Sequence, residues 1–469
     1  MTRRTHPQYL LFLSILLLPS ALAAGPMNKT APTLPAPRGN VVRVSSVAEL
    51  EQAVASLTSN TTILVEPGDY PLTRPLVIDK VDSVALRGAS GERSDVVIHG
   101  LGMTVAPEEG NIPILISIYD VYDVLIADIT LSGAWYHNLH LAGDRGPVRA
   151  HIYNVHSLDC GEQHLKVNPG FEPVLFPDSG LVEFCRFEFT DRAKHWYTNG
   201  VDVLDGAGWT IRDCEFVRIR GPVGVLAGGA VLLWRNSYDS LVERNLFYEC
   251  DFGVVLGLNA GVGNSKREPS ATWDHTGGIV RNNVIYRKES GDVGISVNMA
   301  RDFKIYHNTV ILNNTFLWNI EYRWDNSYGE VFNNLTDGAV LSRDGATARS
   351  GGNLLSAKPS WFADFANADL HLAESASEVI GKALATAVVT DDYDGDRRPA
   401  EGSPDIGADE YIPPTAPGDL DADGRVDIFD LLRLLKALSS RETTRAMDLD
   451  GDGNVDIFDL LRLLRLLAG

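Results

Sequence analysis

Short apolar stretches separated by polar turn residues recur through the middle of this 469-residue chain. Four-residue segments align as Leu125-Ile126-Ala127-Asp128, His151-Ile152-Tyr153-Asn154, Val182-Glu183-Phe184-Cys185 and Ile211-Arg212-Asp213-Cys214. The series continues with Val242-Glu243-Arg244-Asn245, Val280-Arg281-Asn282-Asn283, Ile305-Tyr306-His307-Asn308 and Val331-Phe332-Asn333-Asn334. Its fourth position advances in steps of 26, 31, 29, 31, 38, 25 and 26 residues. A period of this size carried by β-branched runs predicts a solenoid, whose rungs must stack to bury their apolar sides. The Asn, Asp or Cys at the fourth position predicts a ladder of side chains that satisfies backbone groups at one turn. Cys185 and Cys214 then stack about 4.8 Å apart. They form either a thiol pair or a disulfide, with packing as small hydrophobes the simpler expectation. Four cysteines are too few for a disulfide scaffold of this length.

A second strand precedes each ladder segment, aligned by its two inward apolar residues. It reads Leu139-His140-Leu141, Leu165-Lys166-Val167, Val201-Asp202-Val203, Val231-Leu232-Leu233, Val254-Val255-Leu256, Ile295-Ser296-Val297 and Ile320-Glu321-Tyr322. Strict alternation sends the middle residues outward in one column. Two residues earlier the outward set begins Asn138 and His164; two residues later it includes Asn168 and Trp234. The early rungs therefore predict a polar patch, whereas the later ones offer small or apolar groups. Inserts at 168–179 and 191–199 leave these same rungs, and the second carries Arg192, Lys194, His195, Trp196 and Tyr197. Trp135, Tyr136 and His137 enter one rung earlier, and an insert at 258–276 is placed to wall one side. Aromatic faces stack on sugar rings and Arg forks onto carboxylates. Candidates for catalysis are thus Lys166, His164, His140, Asp202 and Arg192. Candidates for substrate contact are Asn138, Asn168, His195, Trp196, Tyr197, Trp234 and Arg235. The competing reading is ordinary salt-bridged surface.

Both ends depart from the repeat. Arg3, Arg4, an apolar run from Tyr9 to Leu18 and Ala21-Leu22-Ala23 predict a secretory signal peptide over 1–23, hence a secreted, extracellular protein. A linker follows over 24–41, and the solenoid is expected over 42–411. No window is apolar enough for a membrane span. The net charge of −21 argues against nucleic acid as a partner. A Pro-rich linker, 412–418, leads into a duplication over 419–469. Its first copy places Asp419, Asp421, Asp423, Arg425, Asp427 and Asp430 at loop positions 1, 3, 5, 7, 9 and 12. The second places Asp448, Asp450, Asp452, Asn454, Asp456 and Asp459 alike, with Gly424 and Gly453 at position 6. This is calcium-loop spacing, with Asp in place of Glu at the last position. Amphipathic helices are predicted over 431–438 and 460–467. Asp392-Tyr393-Asp394-Gly395-Asp396 looks similar, but Ser403 would stand at its position 12, so it is read as no calcium loop.

The repeat resembles the all-β right-handed parallel β-helix of the pectate-lyase-like superfamily, and the C-terminal pair of loops resembles a type I dockerin. The first resemblance implies a polysaccharide lyase that cleaves a uronic-acid polymer by β-elimination. The second implies two calcium ions, a cohesin-bearing scaffold partner and an enzyme as cargo. Where many such dockerins carry small hydroxyl residues to choose the cohesin, this chain has Ile428-Phe429 and Ile457-Phe458, which leaves packing in cis as an alternative. Lys166 resembles the catalytic lysine of β-helix lyases. Free lysine titrates near about 10.4, so a lysine base needs a strongly lowered value. Arg192 and Lys194 would lower it and Asp202 would raise it, unless Asp202 binds a third calcium ion in the groove. Otherwise His164 or His140 is the better base. The arginine expected beside that lysine is replaced by Asp202, leaving Arg192 or Arg235 to supply it. The alternatives are a β-helix glycoside hydrolase, which needs two carboxyls from among Asp202, Asp205 and Glu321, and a non-catalytic carbohydrate-binding or surface protein.

Overall fold

The computed structural model describes residues 27, 29–143, 149–170, 175–259, 262–386, 388–399, 402–412, 417–420, 425–440 and 447–468. The expected signal peptide, together with Asp421 and Asp423, lies outside the described residues.

Between Asn40 and Gly351 the chain winds as a parallel β-helix. One face is a ten-stranded parallel sheet whose strands follow chain order, from Leu76–Asp79 and Ile114–Tyr119 to Trp318–Arg323 and Ala339–Arg343. The other faces form a 22-stranded sheet that receives two strands from most rungs, such as Leu181–Glu183 and Arg186–Glu188. Inward residues of every rung merge into one core, including Leu139, Leu165, Val201, Val231, Val254, Ile295 and Ile320. Inside it Phe187, Phe216 and Phe247 stack at 5.1 and 4.8 Å between ring centres.

The expected ladder forms at the turn between paired strands. Asn245, Asn283, Asn308, Asn334 and Asn353 pass side-chain hydrogen bonds from rung to rung at 2.8–3.0 Å. Each amide also donates to a backbone carbonyl, such as Asn308 Nδ2 to Val280 at 2.9 Å. Cys185 and Cys214 continue the ladder as free thiols, and the Cys185 amide donates to Cys214 Sγ at 3.4 Å.

The helix Val47–Ala55, which lies outside the repeat's pattern, inserts Leu50 and Val54 into the first rungs and is capped by Ser46. After the last rung, a second cluster built on Trp361, Leu370, Val379, Tyr393 and Ile406 packs onto the solenoid. The C-terminal helices, Ile428–Ser440 and Ile457–Ala468, run past the expected bounds at both ends and meet through Leu434, Ala437 and Leu463. Among the described residues no helix is long and apolar enough to cross a membrane.

Candidate functional site

The ten-stranded sheet sets Lys166 in register between His140 and Asp202 on neighbouring strands. All three point away from the core because their flanking residues fill it. Lys166 Nζ lies 2.5 Å from Asp202 Oδ2 and 2.6 Å from the Tyr197 hydroxyl. Tyr197 donates to the same Asp202 oxygen at 3.0 Å, and Trp234 Nε1 donates to Asp202 Oδ1 at 2.8 Å. Asp202 is thus wholly enclosed among an ammonium, a phenol and an indole. Burial, reinforced by Asp202, pushes the Tyr197 hydroxyl well above the usual tyrosine range and keeps it protonated.

On the other side of Lys166, His140 Nε2 meets Asn168 Oδ1 at 3.1 Å. His140 Nδ1 is buried, which leaves Nε2 as the ring nitrogen beside Asn168, whose amide orients the ring. His137 stands 5.6 Å from His140, ring to ring, and is held down to about 3 by burial, then by His140 and Lys166. The loop before Asn199–Leu204 roofs the site. Its Lys194 Nζ lies 2.9 Å from the centre of the Trp135 ring, and burial lowers it to about 8. Its Trp196 is 60% exposed, and His195 Nδ1 accepts the Tyr197 amide at 3.1 Å. Arg235 lies over the Trp234 ring at 4.8 Å.

Several expectations need correction. Asn138 and His164 turn inward. His164 is fully buried beside Phe189, with ring centres 4.6 Å apart, and bonds Ser157 Oγ at 2.8 Å. Asn138 bonds Ser157 Oγ at 2.9 Å. The cause is local: pairing runs Gln163 to Asn199 and then Leu165 to Val201, skipping His164, and it skips Asn138 likewise. The chain is still turning the corner there, so the pleat has not begun and two consecutive side chains face the core. Burial lowers His164 to about 3, which removes it as the base. Arg192 is also drawn away, to the Gly221 carbonyl and Glu289. A calcium ion on Asp202 does not fit, because Lys166, Tyr197 and Trp234 already hold both carboxylate oxygens. The two other carboxyls considered for hydrolysis are committed as well. Asp205 accepts from Ser265 and the Lys266 amide, and Glu321 from Ser296, Trp318 and Arg343.

Glu162 escaped the periodic pattern because it sits at the corner just before Gln163–Pro169. Its half-buried carboxyl lies near His195, Lys166 and Lys194, and burial raises it despite those cations. A concavity of about 460 Å³ lies elsewhere, on the larger sheet, lined by Lys304, Tyr328, Glu330 and Arg349. Of its two carboxylates, Asp302 and Glu330, the second is already bound to Tyr306 and Arg349.

Two clusters bear on metal binding. His371, Asp394 and Asp409 bring donor atoms within 4.8 Å of one another. Lys29 occupies Asp394, however, and His371 is protonated: burial opposes the proton, but Asp369 and Asp394 hold the ring up to about 10. This cluster is an ion-pair knot. In the C-terminal module, Asp448, Asp450 and Asp452 also converge within 4.8 Å and are mostly exposed. Asp448 accepts the Gly451 and Gly453 amides, which wraps the loop around its carboxylates. Asp459 and Asp430 are each buried and accept amides from their own loop at corresponding positions, Leu449 and Leu420. The donor set, all oxygen and strongly anionic, fits calcium.

Residues 417–468 match the family described as dockerin type I domain. This segment is a type I dockerin. Both dockerin helices begin with an exposed pair, Ile428-Phe429 and Ile457-Phe458, whose phenylalanines are 61% and 60% exposed. Leu432 and Leu461, both exposed, extend the two faces.

No curated protein matches the chain. Solved structures similar to it include an alginate lyase from Paenibacillus sp. str. FPU-7, at 11% identity and a TM-score of 0.42, covering 67% of this chain and 99% of that one. The pectate lyase Pel9A aligns at 11% identity and a TM-score of 0.41, over 77% and 90% of the two chains. A GH136 lacto-N-biosidase from Eubacterium ramulus aligns at 9% identity and a TM-score of 0.37, over 68% of each.

Proposed function

We propose that this protein is an exported enzyme that cleaves a uronic-acid polysaccharide by β-elimination and is carried by its dockerin on a cohesin-bearing partner. The observation that supports this most is the Lys166–Tyr197–Asp202 arrangement beside His140, under a rim of exposed aromatic rings. Elimination needs a cation for the substrate carboxylate, a base for the C5 proton and an acid for the leaving oxygen. Lys166 supplies the cation. His140 takes the C5 proton on Nε2, the ring nitrogen beside Asn168, the C–H electron pair forms the C4–C5 double bond, and the C4–O bond breaks. Tyr197, kept protonated by its burial, gives its proton to the departing oxygen, and the adjacent Lys166 ammonium steadies the phenolate. Trp196 and Tyr136 offer ring faces for sugars.

The dockerin loops would hold calcium through Asp448, Asp450, Asp452, Asp456 and Asp459, and through the matching residues of the first copy. The ion would join the two ends of each loop and fix the helix that follows. The paired apolar faces at Phe429 and Phe458 suit a protein partner more than water.

The test is ultraviolet absorbance of products from alginate, polygalacturonate, chondroitin and ulvan, read alongside Lys166→Ala, Tyr197→Phe and His140→Ala. A rise for the parent protein and a loss of about 100-fold or more in each variant is expected. New reducing ends without absorbance would replace elimination by hydrolysis, with Glu162 as the acid.

A further inference from the structure

The outward column of the ten-stranded sheet runs Val77, Ser117, His140, Lys166, Asp202, Leu232, Val255, Ser296 and Glu321. Its middle is covered, while Val77 on the first strand and Leu341, which follows Glu321 on the last, are not buried. Val77 is 46% exposed and His140 is half-buried, with the small Ser117 shaded between them. Ser117 and every residue of the column from Lys166 to Glu321 are buried, so it is the apolar cover over Leu232 and Val255, and not exposure alone, that distinguishes the far side of Lys166.

The cover is a small further hydrophobic cluster, separate from the solenoid core and on the opposite side of the sheet. Leu204, Leu232, Trp234 and Val255 form it, and Tyr197, Phe252 and Leu258 pack over them. The insert that follows Phe252–Leu256 is pinned across this region. The Leu258 amide donates to Asp274 at 2.6 Å and Ser265 Oγ to Asp205 at 2.5 Å. Lys266 Nζ donates to the Gly170 carbonyl at 2.6 Å, and Arg267 pairs with Asp178 at 2.5 Å while lying 3.8 Å from the Phe176 ring centre. Two inserts from different rungs are thereby joined into one wall. A wall tied by buried carboxylates and an arginine stack is a fixed part of the scaffold.

We propose that this groove accepts one end of an acidic polysaccharide and excludes passage of its middle, so that the enzyme acts from the chain terminus and releases short products. The polymer enters over Val77 and His140 and stops against Tyr197, Trp234 and Leu258. Three strand spacings, about 14 Å, separate Val77 from Lys166. This inference rests on the proposed polysaccharide-binding reading of the same site.

The experiment measures the full chain against alginate and polygalacturonate fractions of two mean lengths. Binding capacity per gram is read by titration calorimetry, and products are sized during digestion. A chain-end site gives a capacity that doubles when mean length is halved, and it yields short products while viscosity stays near its starting value. Capacity that follows mass alone, or an early collapse of viscosity with mixed long fragments, would overturn the proposal. Capacity that follows chain ends without new ultraviolet absorbance would overturn elimination and leave the chain-end site standing. In the double variant Leu258→Ala, Arg267→Ala, checked for retained circular dichroism, products should lengthen at least twofold. Unchanged product length in that folded variant would also count against the wall.

Discussion

At the residue scale, Lys166 and Asp202 form a pair that neither member can lose alone. Their side chains are 8% and 0% exposed. Replacing Asp202 by Asn leaves an ammonium in a nearly dry site, and breaking a buried pair this way costs roughly 3–5 kcal/mol. Urea unfolding of Asp202→Asn should therefore show a loss of about 3 kcal/mol, carried mainly by the midpoint and not by the slope. Lys166→Met alone should cost a similar amount, and Lys166→Met with Asp202→Leu less than either single change. Additive losses in that cycle would show that the pair does not act as a unit. The outward place of Lys166, His140 and Asp202 was legible because alternation is rigid once a strand is paired. The inward turn of His164 was not, because it depends on one skipped pairing position at a corner. Tyr197 was legible as an aromatic near the groove, but its bond to Asp202 depends on how the 191–198 loop folds back.

At the element scale, the asparagine ladder decides how firmly rungs stack. Asn308 donates to Val280, Tyr306 and Asn334, and it accepts from the backbone and side chain of Asn283. Asn308→Ala leaves several buried partners unmet, each worth about 1–3 kcal/mol. The expected loss is roughly 3 kcal/mol in chemical denaturation, and the same change at the terminal, partly exposed Asn353 should cost clearly less. Equal losses would mean that the ladder contributes little beyond packing. This ladder was the most legible element, since a fixed period needs only local sequence to be seen. The apolar cover at Leu232 and Val255 was not, because its partners come from inserts whose course no period dictates. The dockerin loops were legible for a different reason: ligand spacing within twelve residues is set by local chain geometry alone. Chelating calcium should accordingly lower the helical circular dichroism of residues 417–468 and leave the β-signal of the solenoid intact. An unchanged helical signal would remove calcium from the account of that module.

At the scale of the whole molecule, a leading segment ties the closing cap to the early rungs. Met27 is buried in the cap cluster, and its carbonyl accepts the Tyr393 hydroxyl at 2.5 Å. Lys29 pairs with Asp394 at 3.3 Å and lies 3.9 Å from the Tyr393 ring centre. Farther on, the Pro32 carbonyl accepts the Tyr153 hydroxyl, and the Pro35 carbonyl accepts Arg87 at 2.9 Å. The knot beneath Lys29 is electrostatic, so its strength must vary with pH. Burial works against a charged His371, yet the hydrogen bonds it donates to Asp369 and Asp394 raise it from 6.5 to about 10. A raised value stabilises the fold fully below about pH 6.5, and that contribution is lost as pH climbs through 10. Asp409 moves in the same direction at lower pH: burial lifts it to about 7, so its contribution is lost as pH rises toward neutrality and is spent above it. Between pH 7 and 11 the change in cap stability that His371 controls should therefore run in one direction. His371→Gln should lower the melting temperature clearly at pH 7, and the gap from the parent protein should narrow steadily as pH approaches 11. A gap that stays constant over this range would show that His371 holds the cap by shape and not by charge.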